Sequence, residues 1–175
     1  MSNETIIIGG GCFWCLEAFF RRLDGVVNAE SGYAGGTVAN PTYEQVCTGD
    51  TGHAEVVRIT YDTAVISLSE ILEFFWKAHD PTTVNRQGAD VGTQYRSVVF
   101  FDDAQQKETI QQSRDAAQNN YSQPIVTQIV PATTFYPAES YHRDYYERNP
   151  DQGYCRMVIK PKLKKLGLEI AALPR

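Results

Sequence analysis

Thr-Ile-Ile-Ile-Gly-Gly-Gly-Cys-Phe-Trp-Cys-Leu-Glu-Ala-Phe-Phe-Arg-Arg-Leu, residues 5 to 23, is the stretch from which the rest of the chain is read. Thr5 to Ile8 is a β-branched run that suits a buried strand, and three glycines end it with a tight turn. Leu16, Phe19, Phe20 and Leu23 then recur at i, i+3, i+4 and i+7, the spacing of one helix face, and Gly25 supplies a stop. Cys12 falls where strand becomes helix, so its thiol is expected to face unsatisfied backbone N–H groups and to have its pKa lowered. The bare backbone of Gly9, Gly10 and Gly11 is expected to leave room for a substrate beside the sulfur. Cys15, one helical turn on, lies within the roughly 5 Å Cα separation that a disulfide spans. The same two residues would otherwise read as small core hydrophobes, but a glycine-led helix start favours a reactive thiol.

Outward from this segment, strands are predicted over 26–33 and 54–61 with a polar, glycine-bearing loop between them. Ser67-Leu-Ser-Glu70 fits a capping box, opening a helix through Leu68, Ile71, Leu72 and Phe75 that ends before Pro81. A strand is predicted over 95–101, a polar surface helix over 103–118 and a strand over 125–130. Pro137 then opens a helix bearing Tyr141, Tyr145 and Tyr146. Met157 to Ile159 reads as an anchored strand and Lys160 to Lys165 as a solvated tail surface. The order implies an α+β fold: one domain over residues 1–175 with a mixed β-sheet, helices packed against it in an α/β plait-like core, and a C-terminal tail over 156–175.

The 175 residues carry a formal net charge of −5, which removes the broad attraction that binding to nucleic acid or an anionic membrane needs. No export signal or membrane-spanning stretch is read, so a cytoplasmic chain is expected. In that compartment Cys12, Cys15, Cys47 and Cys155 are reactive, metal-binding or buried rather than permanently bridged. A zinc site would need two further ligands beside the Cys12 and Cys15 pair, and Cys47, Cys155, His53, His79 and His142 offer no second paired spacing. No metal and no organic cofactor are expected, because electrons can pass through sulfur alone.

Three segments, Gly-Cys-Phe-Trp-Cys-Leu-Glu at 11–17, Ser-Gly-Tyr-Ala-Gly-Gly at 31–36 and Asn-Pro-Thr-Tyr-Glu-Gln-Val-Cys-Thr-Gly-Asp-Thr-Gly-His-Ala-Glu at 40–55, together resemble the peptide methionine sulfoxide reductase A family. His-Asp-Pro-Thr-Thr at 79–83, Arg-Gln-Gly-Ala-Asp-Val-Gly-Thr-Gln-Tyr-Arg-Ser at 86–97 and Asn-Pro-Asp-Gln-Gly-Tyr-Cys at 149–155 extend the likeness over nearly the whole chain. The resemblance implies reduction of the S-epimer of methionine sulfoxide, free or in oxidised proteins, with electrons from thioredoxin or another dithiol. It implies Cys12 as nucleophile and Glu55 as general acid. A carboxyl can serve near neutral pH only if burial keeps it protonated, so Glu55 is expected to be buried. Tyr43 and Tyr95 match residues that hydrogen-bond the sulfoxide oxygen, Asp90 a substrate contact, and Phe13 and Trp14 the aromatic faces that would cup the terminal methyl.

Attack would leave Cys12 as a sulfenic acid that a second thiol must condense with. The resemblance offers Cys155, while Cys15 stands where many relatives have glycine and a subgroup has cysteine. The segment after Cys155 lacks the glycine-rich run of the long-tailed members, which leaves both partners open and favours Cys15. Cys47 is expected to be a buried spectator, His53 and His142 structural hydrogen-bonders, and His79 a helix C-terminal residue. The rival function is a general Cys-x-x-Cys thiol-disulfide oxidoreductase, and a monomer is expected.

Overall fold

The computed structural model describes residues 2–167. In chain order its elements are β1 (Asn3–Gly9), α1 (Phe13–Phe20), β2 (Val26–Ala34), α2 (Tyr43–Cys47), β3 (Ala54–Asp62), α3 (Leu68–Ala78), β4 (Arg86–Gln87), β5 (Asp90–Val91), β6 (Val98–Phe101), α4 (Ala104–Gln118), β7 (Gln128–Pro131), β8 (Tyr136–Pro137), α5 (Tyr145–Arg148) and α6 (Lys160–Lys165). Six strands form one sheet in the order β7-β6-β1-β3-β2-β8, and β4 and β5 form a separate two-stranded ribbon. Only β6 and β7 of that sheet run parallel, which makes it mixed. The single-domain α+β class with helices packed on a mixed sheet is therefore as expected.

Strand alternation sorts the core into two faces. Ile6, Ile8, Val57, Ile59 and Tyr61 join Leu16, Phe19 and Phe20 of α1 and Ile71, Leu72 and Phe75 of α3 in the main cluster. Ala54, Val56, Val98 and Phe100 form a smaller cluster on the opposite face. Period two along β3 thus places Glu55 on the α1 face, paired with Tyr33 across β2. The topology sets a carboxyl under the start of α1.

The Ser67 capping box is present, and α3 ends at His79 before Pro81. Several expectations need correction. The loop before β3 contains α2, whose Thr42 and Gln45 form a capping box of their own. Tyr95 closes a 3-10 turn over Thr93–Tyr95, and the strand begins only at Val98. Ile125 and Val126 are tied to the Gln118 side chain and the Pro81 carbonyl instead of a ladder, so β7 starts at Gln128. Pro137 ends the edge strand β8, where its missing N–H costs nothing, and the helix placed after it is split into a 3-10 turn at Ser140–His142 and the short α5. Met157 to Ile159 lie in a π-helical turn over Cys155–Ile159 that leads into α6, not in a strand. The tail is partly packed, since Ile159 and Leu163 are buried; its last residues, 168–175, lie outside the described part of the chain.

Candidate active site

The turn Gly10-Gly11-Cys12 links β1 to α1, and Cys12 caps that helix in extended conformation with no side-chain cap bond. The glycines are used by the protein itself. A Cβ on Gly10 would meet the His79 ring at 2.7 Å, and Gly11, at φ +92, is closed over by the Gln87 side chain. Gly10 and Gly11 also line, with Cys12, a cavity beside the sulfur, so the bare backbone leaves room there and at the same time lets the turn pack against His79 and the β4 ribbon. Gly11 N–H donates to the Tyr95 carbonyl at 3.1 Å, which fixes Tyr95 beside the turn. His79 is anchored in turn. Its Nδ1–H must donate to the Phe75 carbonyl, so Nε2 accepts from Ser97 Oγ, both at 2.7 Å.

Glu55 is 1% exposed and its Oε1 accepts the Phe13 N–H at 3.1 Å, satisfying an orphan donor of the first turn of α1. Burial pushes this carboxyl up to about 8, so it is chiefly protonated at neutral pH. Because Oε1 is the acceptor, the proton belongs on Oε2, which is buried and has no hydrogen-bond partner among the described residues. The burial inferred from the sequence is met, and the unpaired oxygen was not foreseeable there.

Around this carboxyl stand the phenols of Tyr43 and Tyr95, both half-buried and both raised in pKa by burial and by the nearness of Glu55. Phe13 is wholly buried and lies near-parallel to Tyr43, with ring centroids 6.2 Å apart. Trp14 stacks on Tyr145 with centroids 3.8 Å apart, and its indole Nε1–H donates to His142 Nδ1 at 2.9 Å. His142 also lies against Phe13 and Tyr43, at 5.0 and 4.5 Å. Glu139 receives both the Tyr33 hydroxyl and the Tyr43 N–H, at 2.8 and 2.9 Å, and so pins the start of α2 to the segment that carries His142. His142, Glu139 and Tyr145 were not singled out as site residues from the sequence. The aromatic run Tyr141 to Tyr146 was the available signal.

Cys12 is 8% exposed. Its thiol is not lowered as expected but raised, by burial first and then by its hydrogen bond to Cys15 and the nearness of Cys15 and Glu55, which together outweigh the helix start. Cys15 takes the opposite direction, lowered by the hydrogen bond from Cys12 first and also by Tyr154 and Lys162. The two thiols are coupled and ionise as one pair. Both line a cavity of about 240 Å³ with Gln87, Asp90, Tyr154 and Lys162. Asp90 reaches this cavity and accepts the Tyr154 hydroxyl at 2.6 Å, and the Tyr154 oxygen lies 3.5 Å from Cys15 Sγ.

Cys155 is buried, with its thiol pushed up to about 11 by burial and by Cys15. Cys47, expected to be buried, is instead exposed at the end of α2 close to Tyr43. Among the described residues no three His, Cys, Asp or Glu side chains gather so as to hold a metal ion, and no helix is long and apolar enough to cross a membrane. A larger hollow of about 690 Å³ between α3 and α4 is lined by Trp76, Ser113 and Tyr121 and by none of the four cysteines.

The family model for peptide methionine sulfoxide reductase matches residues 4–172. A peptide methionine sulfoxide reductase MsrA from Leptospira borgpetersenii serovar Hardjo-bovis is 54% identical over 162 residues, 93% of this chain and 92% of the relative. Among solved structures, Mxr1 from Saccharomyces cerevisiae in reduced form superposes with TM-score 0.83 at 37% identity, covering 87% of this chain and 89% of that one. Mxr1 in complex with Trx2 matches with TM-score 0.59 at 26% identity, covering 82% and 84%.

Proposed function

This chain belongs to the peptide methionine sulfoxide reductase family, and on that premise we propose that Cys12 attacks the sulfur of the S-epimer of methionine sulfoxide, free or in an oxidised protein, while Glu55 protonates the leaving oxygen. The observation that carries this assignment is the buried, unpartnered Oε2 of Glu55 at the first turn of α1, beside Cys12. A proton placed there has no acceptor among the described residues, and a sulfoxide oxygen is one. Expelling an unprotonated oxide into so dry a site would be prohibitive.

Attack joins Cys12 sulfur to the substrate sulfur as the oxygen is protonated. The hydroxyl then passes to Cys12, the substrate S–O bond and the new S–S bond break with the electron pair left on the substrate sulfur, methionine departs and Cys12 is a sulfenic acid. Glu55 gives its proton to the oxygen and takes back the one that the Cys12 thiol releases, so protons balance. The hydroxyls of Tyr43 and Tyr95 hold the oxygen during transfer, each able to donate one hydrogen bond. Phe13 and Trp14 receive the methyl end of the substrate, and the wall they form is itself held by His142 and Tyr145. Asp90 contacts the substrate from the cavity side.

Cys15 then closes a disulfide with Cys12. It supports this choice that the two thiols stand one helical turn apart and line the same cavity, whereas Cys155 is wholly buried and its thiolate disfavoured. Thioredoxin or another dithiol reopens the bridge, a step supported by the structure of the relative Mxr1 in complex with Trx2. The enzyme works as a cytoplasmic monomer. A general thiol-disulfide oxidoreductase needs its first cysteine open to a docking protein, and a nucleophile 8% exposed beside a neutral carboxyl suits a small sulfoxide better.

The test is consumption of the two epimers of methionine sulfoxide by the protein with dithiothreitol. The S-epimer is expected to disappear and the R-epimer to persist; consumption of the R-epimer alone, or of neither, refutes the assignment.

A further inference from the structure

Cys15 can resolve the sulfenic acid only as a thiolate, so something must take its proton and stabilise the charge left behind. The cavity beside Cys12 and Cys15 contains both means. The Tyr154 hydroxyl has one hydrogen, and it is donated to Asp90 Oδ2 at 2.6 Å. While the Tyr154 hydrogen is donated to Asp90, the contact of 3.5 Å between Tyr154 and Cys15 runs from the Cys15 thiol to the Tyr154 oxygen. Once Cys15 is a thiolate the phenol donates to it instead, the contact that lowers the Cys15 thiol.

Lys162 of α6 reaches the same cavity, and its ammonium stands 5.6 Å from the centroid of the Phe19 ring. Phe19 lies one turn beyond Cys15 on α1, at i+4, so the cation sits along the face that carries the thiol. Among the described residues no carboxylate lies within 4 Å of that ammonium. Lys162 is half-buried and part of its hydration is lost, which burial registers by lowering its own pKa. A cation so placed is available to an anion formed in the cavity.

We propose that Tyr154 and Asp90 form the proton path that deprotonates Cys15 in the resolving step, and that Lys162 is a positioning residue whose charge stabilises the Cys15 thiolate. This inference rests on Cys15 being the resolving thiol. In the step, Cys15 passes its proton to the Tyr154 oxygen as Tyr154 passes its own to Asp90. The Cys15 electron pair forms the S–S bond to Cys12, and the Cys12 S–O bond breaks with its pair on oxygen. The proton held by Asp90 goes to the departing hydroxide, which leaves as water. Cys15 sulfur is oxidised and Cys12 sulfur reduced by equal amounts, so no outside oxidant or reductant takes part.

Other groups face Cys15 too. Cys12 stands beside it, Glu55 and Cys155 lie near enough to feel its charge, and Asp90 opposes ionisation. Lys162 is the cation among them.

The experiment follows one turnover of the whole chain with methionine sulfoxide in the wild type and in Lys162→Met, Lys162→Arg and Tyr154→Phe. Methionine release and thiol loss are timed separately from pH 5 to pH 9, and the disulfide is mapped. One opposite charge moves a nearby pKa by about 1 to 3. Lys162→Met is therefore expected to slow disulfide formation roughly tenfold at pH 6 and move its pH profile to higher pH. The effect is read as the rate of disulfide formation relative to methionine release in the same variant, and circular dichroism checks that the chain is folded. Lys162→Arg restores rate and profile; Tyr154→Phe slows disulfide formation roughly tenfold. A Lys162→Met chain that closes the Cys12 to Cys15 bridge at the wild-type rate and profile overturns the role of Lys162, and a silent Tyr154→Phe overturns the proton path. A wild-type disulfide between Cys12 and Cys155 overturns instead the reading beneath both.

Discussion

Glu55→Gln separates two consequences of a neutral buried acid that would otherwise be confounded. Glutamine keeps the shape and can still accept the Phe13 N–H that Glu55 Oε1 accepts at 3.1 Å, but it has no proton to transfer. Loss of a general acid slows turnover by about 10² to 10⁴, or roughly 3 to 5 kcal/mol in the barrier. Stability is expected to move the other way with pH. The carboxyl titrates at about 8 in the fold against an ordinary value of 4.5, so between these values the folded state holds a proton that the unfolded state has released. By linkage, stability is complete below about pH 4.5 and falls as pH rises toward 8. At about 1.4 kcal/mol per pH unit over a span of about 3.5 pH units, Glu55 removes on the order of 5 kcal/mol by pH 8. Glu17, also buried and pushed up to about 7, adds to the same trend in both proteins and cancels in their difference. Urea unfolding of the reduced proteins is therefore expected to give near-equal stability at pH 5, and a Glu55→Gln variant several kcal/mol more stable at pH 8. Turnover with dithiothreitol falls at least a hundredfold at both. A stability difference that does not change between pH 5 and pH 8 refutes the neutral carboxyl, and full activity in the variant refutes its role as acid.

Cys12→Ser is expected to abolish reduction while leaving the fold intact, by activity assay and circular dichroism. His142→Leu leaves the Trp14 indole N–H without its acceptor, a loss of about 1 to 3 kcal/mol read by urea unfolding and by a shift in tryptophan emission. The His79 imidazole, lowered to about 4 chiefly by burial, is expected to stay neutral down to pH 5 in a nuclear magnetic resonance titration; protonation near pH 6.5 contradicts its placement. Because its folded pKa lies below the unfolded one, its share of stability is present above about pH 6.5 and is lost as pH falls toward 4. Under native alkylation followed by peptide mapping, exposed Cys47 reacts well before buried Cys155; the reverse order would mean that the π-helical turn at Cys155 opens.

Local signals carried much of the fold. The run Thr5 to Ile8, the glycines after it and the Leu16 to Leu23 face located β1, the turn and α1. The Ser67 capping box located α3. Thr42 and Gln45 carry the same signal for α2, hidden because a five-residue helix has no apolar period to follow. Where tertiary partners decide, the sequence was silent. Tyr95 leaves the strand pattern because its carbonyl is claimed by Gly11, and Ile125 because its N–H is claimed by Gln118. Pro137 signals a helix start as readily as an edge strand, and only pairing with Gly32 decides between them. In the site, the family motifs named Cys12, Cys15 and Glu55 individually. The raised Cys12 thiol, the orphan oxygen of Glu55 and the chain from Cys15 through Tyr154 to Asp90 are products of packing between segments distant in sequence.

The most direct measurement is a single turnover of Cys15→Ser with one equivalent of methionine sulfoxide in the presence of dimedone. With the resolving thiol removed, one methionine per chain is expected, and mass spectrometry is expected to find the sulfenic acid adduct on Cys12. Methionine formed with Cys12 unmodified, or an adduct on Cys47 or Cys155 instead, would contradict attack by Cys12 on the sulfoxide.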